Sequence, residues 1–437
     1  MNKLRTLFVL LLSILCFTAG AQEMLSLQQA LEIALKSNYY IQISKNQDAI
    51  AANDNSLGNA GMLPSVSLGA NTGGSASVNS IHQQYASGLE VNKSGVNSNV
   101  INVTPQLNWV LFDGLKMFAT HDKLKELQDM GDLNLKISIE NTVSKIIDAY
   151  FDIARQKQLL GALNEAISIY EERLSIADVK NKIGSGTEAD VLQAKVDLNE
   201  QKSALLRQRV LIENAKTALN LLLSRDSYTS FEISDSIQIT YNPKFEELKS
   251  SVLQQNNSLL FAQKNIRVAN FAIKEIEAQR LPIVAVSAGY NYARSENSAG
   301  FVLLNQSSGY TAGVGISWNL FNGFNVNRMA KDAQINSLNS ELMFKDTRNQ
   351  VESGLVTAYH NFQNALEVLK LEEDNIILAK KNVEINLERF RLGYVTSLQL
   401  KDAQQSFLNA ESRLVAARYD AKVSETELMR LNGALVK

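Results

Sequence analysis

One cysteine, four prolines, three histidines and two tryptophans in 437 residues leave several chemistries without the residues they need. Cys16 is alone, so neither a disulfide nor a cysteine-rich metal or redox site can be built. His82, His121 and His360 are far apart and form no H-E-x-x-H spacing, which leaves a zinc site without ligands. No Gly-x-Ser-x-Gly elbow and no Gly-x-x-x-x-Gly-Lys-[Ser/Thr] loop occurs, so hydrolase and nucleotidase readings have no anchor. Lys and Arg number 43 against 45 Asp and Glu, which argues against a basic nucleic-acid surface. After residue 21 there is no run of about 18 apolar residues, so no helical membrane span is expected. A membrane β-barrel stays open, because its strands show only alternation.

What is present begins with an export signal. Lys3 and Arg5 precede the apolar run Leu7 to Phe17, and Ala19-Gly20-Ala21 offers a cleavage site, so residues 1–21 read as a secretory signal peptide that carries Cys16 away with it. Ile14 and Leu15 before Cys16 do not suit lipidation.

The rest of the chain is an internal repeat. Val191, Ala194, Leu198, Gln201, Leu205, Gln208, Ile212, Ala215, Leu219 and Leu222 step by three and four, a coiled-coil seam. The phase returns at an offset of 209 residues (400 − 191), as Leu400, Ala403, Phe407, Ala410, Leu414, Ala417, Ala421, Ser424, Leu428 and Leu431. Each seam helix follows a long helix across a turn, Gly184-Ser185-Gly186-Thr187 in one copy and Gly393-Tyr394-Val395-Thr396 in the other. Gly184 to Ala189 mimics a dinucleotide fingerprint, but it follows a helix where that motif needs a strand. Tip glycines of positive φ and an N-cap at Thr187 are the expectation instead.

In the first repeat (22–223), Ser26 to Leu57 reads as one helix that stops at Gly58 and Gly61, and Leu63-Pro64 after them cannot continue it. A short strand then sets Val66, Leu68 and Ala70 against Ser65, Ser67 and Gly69. The Ser-, Asn- and Gly-rich tract from Thr72 to about Asn99 reads as a long exposed loop. A second strand has Val103, Leu107, Trp109 and Leu111 on one side, so the hairpin occupies 64–112 and closes with Leu111-Phe112-Asp113-Gly114. A linker (224–244) leads to the second repeat (245–437): a helix over Phe245 to Arg280, Leu281-Pro282, then a hairpin over 282–321 with a polar loop from Ala293 to Ser308. Leu320-Phe321-Asn322-Gly323 ends it as Leu111 to Gly114 ended the first. No proline falls inside an expected helix.

Four strands with one apolar face each cannot close a barrel, since the smallest membrane barrels need about eight. An open sheet in lipid would leave edge N–H and C=O groups unpaired. The chain must therefore assemble, with apolar faces toward lipid and Trp109, Trp318, Tyr290, Tyr292 and Tyr310 near the membrane interfaces. Two hairpins packed on a soluble core would show the same alternation. A secreted structural or adhesive coiled-coil protein is accordingly the alternative reading.

The duplicated order of helix, Leu-Pro, strand, loop, strand, Leu-Phe-[Asp/Asn]-Gly, long helix, Gly turn and helix resembles the TolC-like outer-membrane efflux channels. The resemblance covers nearly the whole mature chain. It implies a mainly α fold with membrane β: a homotrimer whose twelve strands form an outer-membrane barrel, continued by a helical barrel in the periplasm. It further implies a passive exit duct of a tripartite efflux or type I secretion system, served by a periplasmic adaptor and an inner-membrane pump, with no cofactor and no catalysis. In the family, an aspartate, a tyrosine and an arginine tie neighbouring hairpin tips together. Asp190 matches the aspartate, whereas the other two positions fall at Phe390 and Val395, so closure is expected to rest on apolar packing by Phe390, Leu392 and Val395. The family's constricting aspartates match Gln399 and Asp402. Gly184, Gly186, Thr187, Gly393 and Thr396 form the turns expected to meet the adaptor.

Overall fold

A computed structural model describes residues 23–241 and 243–435; the expected signal segment with Cys16 lies outside the described residues. The first repeat holds β1 (Glu23–Met24), α1 (Leu27–Ser37), α2 (Tyr39–Asp54), β2 (Ser65–Gln84), β3 (Glu90–Phe112), α3 (Lys116–Lys182) and α4 (Glu188–Leu222). After β4 (Phe231–Glu232), the second holds α5 (Phe245–Gln255), α6 (Asn257–Glu277), β5 (Ile283–Asn297), β6 (Leu304–Ser317), α7 (Asn325–Arg391) and α8 (Ser397–Leu431). Both long helices have 67 residues and both returning helices have 35. Two compact units cut across these repeats. One comprises residues to Asn46, Leu133–Leu260 and those from Asp346, and the other comprises Gln47–Asp132 and Phe261–Lys345.

Each expected single helix before a Leu-Pro is broken in two by an asparagine. Asn38 and Asn256 adopt extended ψ values of 123° and 117° at the ends of α1 and α5. The Asn38 side chain accepts from the Ile41 amide and donates to the Leu222 carbonyl, at 3.1 and 2.7 Å. Asn256 accepts from Ser258 and Leu259 amides and donates to the Leu431 carbonyl. One side chain thus caps the next helix and fastens the break to the end of a returning helix. Apolar spacing does not register such a break, because the buried stripe resumes after it.

The unit comprising 47–132 and 261–345 contains an antiparallel sheet in the order β2-β3-β5-β6. Cross-strand partners share a face, and the register places Val66 with Leu107, Ala70 with Val103, Trp109 with Val286, and Tyr290 with Tyr310. The tract expected as a loop from Thr72 to Asn99 instead prolongs β2 and β3 into a hairpin that turns at Tyr85–Leu89, where the Tyr85 amide donates to the Leu89 carbonyl at 2.9 Å. Ladder hydrogen bonds satisfy the backbone whether or not a face is apolar, so a polar strand leaves no alternation to read. A register shift between Asn79 and Ser80 falls opposite Gly95, whose φ is 76°. The second polar loop shrinks likewise to 298–303, and the last strand ends at Ser317, short of Leu320. Pro105 lies well inside β3; the β3–β5 ladder skips from Val103 to Gln106, so no partner awaits the missing N–H.

The Leu-Phe-[Asp/Asn]-Gly motifs make the strand-to-helix corners. Gly114 and Gly323 have φ of 75° and 65°, and Leu115 and Phe324 after them are also left-handed at 70° and 61°. A Cβ on Gly114 would lie 2.3 Å from the Ala278 carbonyl oxygen. Asp113 accepts from the Met117 amide with both carboxylate oxygens, at 3.1 and 3.0 Å, capping α3.

In the other unit, β1 and β4 pair in parallel. Phe231 and Ile233 are buried among Ala30 and Ala34 of α1, Ile146, Tyr150 and Ile153 of α3, and Leu219 of α4. The expected linker is therefore partly core. Its Glu232 accepts from Lys157 and Lys216 at 2.9 and 2.7 Å. The α4 and α8 seams are buried or half-buried throughout, as expected. On α3 the buried line runs through Ala162, Ala166, Tyr170, Arg173 and Ala177, while Leu163, Ile167 and Leu174 are half-buried. Small alanines allow close helix approach, which a ranking by side-chain size overlooks.

Candidate channel gate and membrane face

The two tips are built alike. Thr187 and Thr396 are N-caps in capping boxes whose third residues are Asp190 and Gln399. The Asp190 carboxylate accepts from the Thr187 hydroxyl at 2.6 Å, so in this chain it serves its own helix start. Gly184 and Gly393 have φ of 77° and 86°. Gly186 does not share that conformation. It is required by closeness, since a Cβ there would lie 2.9 Å from that of Lys180. Its counterpart in the second repeat is Val395.

Phe390, Val395 and Leu400 are buried together, with Ile176 and Leu387 against them. Lys180 stands 4.3 Å above the Phe390 ring and donates to the Phe390 carbonyl, which joins the first hairpin to the second. Arg391 pairs with Glu172 across the same junction. Leu392, expected in this packing, is 67% exposed. It follows Arg391, the last residue of α7, and lines an open groove of about 510 Å³ with Ile176, Val179 and Ile183. Asp402 is exposed on the first turns of α8.

Sequence reasoning missed a buried polar cluster above the tips. Arg173 of α3 is 1% exposed and Asp197 of α4 2%. Arg173 Nη1 donates to Asp197 Oδ2 at 2.9 Å and to Gln404 Oε1 of α8 at 3.3 Å, while Nη2 donates to Ser397 Oγ at 2.9 Å. Asp197 Oδ1 accepts from Lys401 and Gln193, each at 2.8 Å. Burial pushes the Asp197 carboxyl up, but the Lys401 and Gln193 hydrogen bonds and the Arg173 charge outweigh it and hold the group below the usual aspartate range. Three helices from both repeats thus meet at one ion pair. Arg173 itself was the available signal, a charge three residues after Tyr170 and four before Ala177.

Elsewhere in this unit, Gln208 at a seam position donates to the Gln156 carbonyl and side-chain oxygens at 3.0 and 2.7 Å, so protein groups satisfy it.

On the sheet, Val66, Leu68, Tyr310, Val314 and Ile316 are 69–89% exposed, and β2 and β6 are open edges. Trp109 and Trp318 keep their indole N–H groups occupied. They donate to the Met62 and Arg280 carbonyls at 3.0 Å each, in equivalent places before the two Leu-Pro pairs. Tyr290 and Tyr310 rings lie 5.0 Å apart, Tyr292 is half-buried, and all three tyrosines share the face of Trp109 by register. No helix among the described residues is long and apolar enough to cross a membrane.

A sheet with a bare apolar face and open edges among the described residues, in a chain of paired helical hairpins, defines a channel subunit. The chain belongs to the outer membrane efflux protein family, whose profile matches residues 21–225 and 248–434. It is 21% identical over 335 residues to the outer membrane efflux protein BepC of Brucella suis, covering 76% of this chain and 71% of that one. To the outer membrane protein TolC of Vibrio cholerae it is 25% identical over 305 residues, 68% of each chain. Among solved structures, the outer membrane protein VceC of Vibrio cholerae superposes with a TM-score of 0.77 at 18% identity, over 93% of this chain and 96% of that one. CusC gives 0.77 at 16% identity, over 93% and 91%. The protein is an outer-membrane efflux channel, and the adhesive alternative has no support.

Proposed function

We propose that three copies of this chain close their sheets into one twelve-stranded barrel and conduct solutes passively outward, with no catalytic step. The observation that carries this reading is the sheet itself: its apolar face is uncovered and the outer edges of β2 and β6 are unpaired among the described residues, a state that lipid tolerates only after closure. The lipid-facing aromatics would then sit at the bilayer interfaces. A periplasmic adaptor fed by an inner-membrane pump meets the tips, where the groove beside Leu392 leaves apolar surface uncovered.

The closed tip rests on Phe390, Val395 and Leu400, backed by the Arg173–Asp197 cluster, and not on links from Asp190. Gln399 is used as a cap, so Asp402 alone supplies the constriction with charge, once per copy. Purified protein reconstituted into planar bilayers tests both levels. The duct reading requires a detergent-stable trimer that passes current; a monomer that needs no detergent and passes none ends it. Asp402→Ala lowers cation preference, and an unchanged reversal potential removes the ring.

A further inference from the structure

The two strand-to-helix corners share a backbone but not a charge. At an offset of 209 (322 − 113), Asn322 stands where the first corner has Asp113, and at 218 (280 − 62), Arg280 stands where it has Met62. Lys116 of the first corner has Asn325 as its counterpart, so two exchanges toward positive stand against one away from it. The corner's own bonding does not use Arg280, because the tryptophans bond to the backbone carbonyls of Met62 and Arg280. The Arg280 side chain is exposed and has no hydrogen bond or ion pair among the described residues.

In the first corner both oxygens of Asp113 accept from the Met117 amide. The counterpart amide of Val326 finds no acceptor among the described residues, and Val326 lines an open pocket of about 250 Å³. Arg280, Trp318, Phe321 and Phe324 line the same pocket, and no carboxylate does. Leu320, Phe321 and Phe324 are 68–78% exposed, with the two phenyl rings edge to face at 5.3 Å. A free cation and a free amide beside bare aromatic surface suit a ligand that is anionic at one end and hydrocarbon at the other.

We propose that this pocket binds the phosphodiester headgroup of an anionic glycerophospholipid at the periplasmic edge of the membrane. Arg280 pairs with the phosphate, the Val326 amide donates to one of its oxygens, and the acyl chains run along Trp318, Leu320 and Phe321. Two features favour lipid over other occupants. Trp318 and Leu320 follow Val314 and Ile316 of the uncovered sheet face, so the pocket continues the surface that meets hydrocarbon. In a closed barrel the next copy would bring its β2 beside β6, but residues 55–84 hold no acidic side chain and leave the Arg280 charge unanswered. Inorganic phosphate would answer the charge and leave the aromatic surface bare.

The proposal rests on the barrel reading, and its test keeps the two apart. The chain has two tryptophans, so Trp109→Phe leaves Trp318 as the sole reporter. The purified trimer of this variant is placed in phosphatidylcholine bilayers that contain either phosphatidylglycerol or phosphatidylcholine brominated on its chains, since bromine quenches an indole it touches. Brominated phosphatidylglycerol should show a relative affinity roughly five-fold higher, the worth of one arginine at a lipid surface. That preference should vanish in Arg280→Gln, and also in Asn322→Asp, which gives the second corner the carboxylate of the first. Millimolar inorganic phosphate should leave it unchanged. Equal quenching by the two lipids, a preference that survives either substitution, or its loss to inorganic phosphate overturns the lipid site while the duct stands. An unmodified protein that is not a conducting trimer would instead end the barrel reading.

Discussion

Arg173 and Asp197 form an ion pair of 2.9 Å between side chains that are 1% and 3% exposed. Two charges taken out of water together cost little more than an apolar pair of the same shape, but either one left alone is expensive. Asp197→Ala strands the guanidinium and should cost about 3–5 kcal/mol. Replacing both, as Arg173→Met with Asp197→Leu, should cost less than the single change. Thermal midpoints of the solubilised protein compare the two, and a double variant weaker than Asp197→Ala would refute the argument. Single-channel current should rise in Asp197→Ala if the cluster also restrains the tips.

Trp109→Phe and Trp318→Phe each remove one donor from an equivalent carbonyl, that of Met62 or Arg280. Each should lower stability by about 1 kcal/mol, and by similar amounts, because the two corners repeat. Urea midpoints of the folded assembly read the effect; a large cost at one site only would show that the corners are not equivalent.

Asp148 lies on α3 with its Oδ1 buried and finding no partner among the described residues. Burial first, and then the nearby Glu427 charge, push its carboxyl up to about 6. The folded chain therefore holds this proton more tightly than the unfolded chain does. Stability from this group is present below the ordinary aspartate range, falls as pH rises through about 6, and is then constant. After allowance for its partial exposure, the loss is on the order of 1–2 kcal/mol. Asp148→Asn should melt higher than the parent at pH 8 and no higher at pH 4. Equal gains at both would place its effect elsewhere.

Gly114→Ala brings a Cβ to 2.3 Å from the Ala278 oxygen and 2.9 Å from Leu281 Cβ at a φ of +75°. Gly323→Ala carries the φ strain alone, its nearest neighbour being Asn325 Nδ2 at 3.8 Å. The second should cost about 1–2 kcal/mol. The first should cost more and reduce the yield of assembled protein in the outer membrane. Equal yields would contradict the corner geometry.

The long helices, their tips and both Leu-Pro corners were legible because each is written in local spacing. Thr187 and its counterpart Thr396 cap the helices that follow the tip turns, and the four hairpin strands pair with their apolar residues on one face. The breaks at Asn38 and Asn256 were not read, although their offset of 218 (256 − 38) equals that of Leu63 and Leu281. An asparagine inside an apolar stripe looks tolerable until its side chain is seen to bond the end of a distant helix. The polar halves of β2 and β3 had no contrast between faces. Arg173 sat in view at a core position, but its partners come from two other helices and no local pattern joins them.

The matched helix lengths carry a consequence for how such a chain can change. Removing seven residues from α3 and α4 alone would raise one hairpin's end by about 10 Å above its neighbour's. A mouth made of alternating short and long staves has gaps that no side chain can span. Growth or shortening must then occur in both copies of the duplication at once, so the reach of the duct is far harder to alter than the residues that line it.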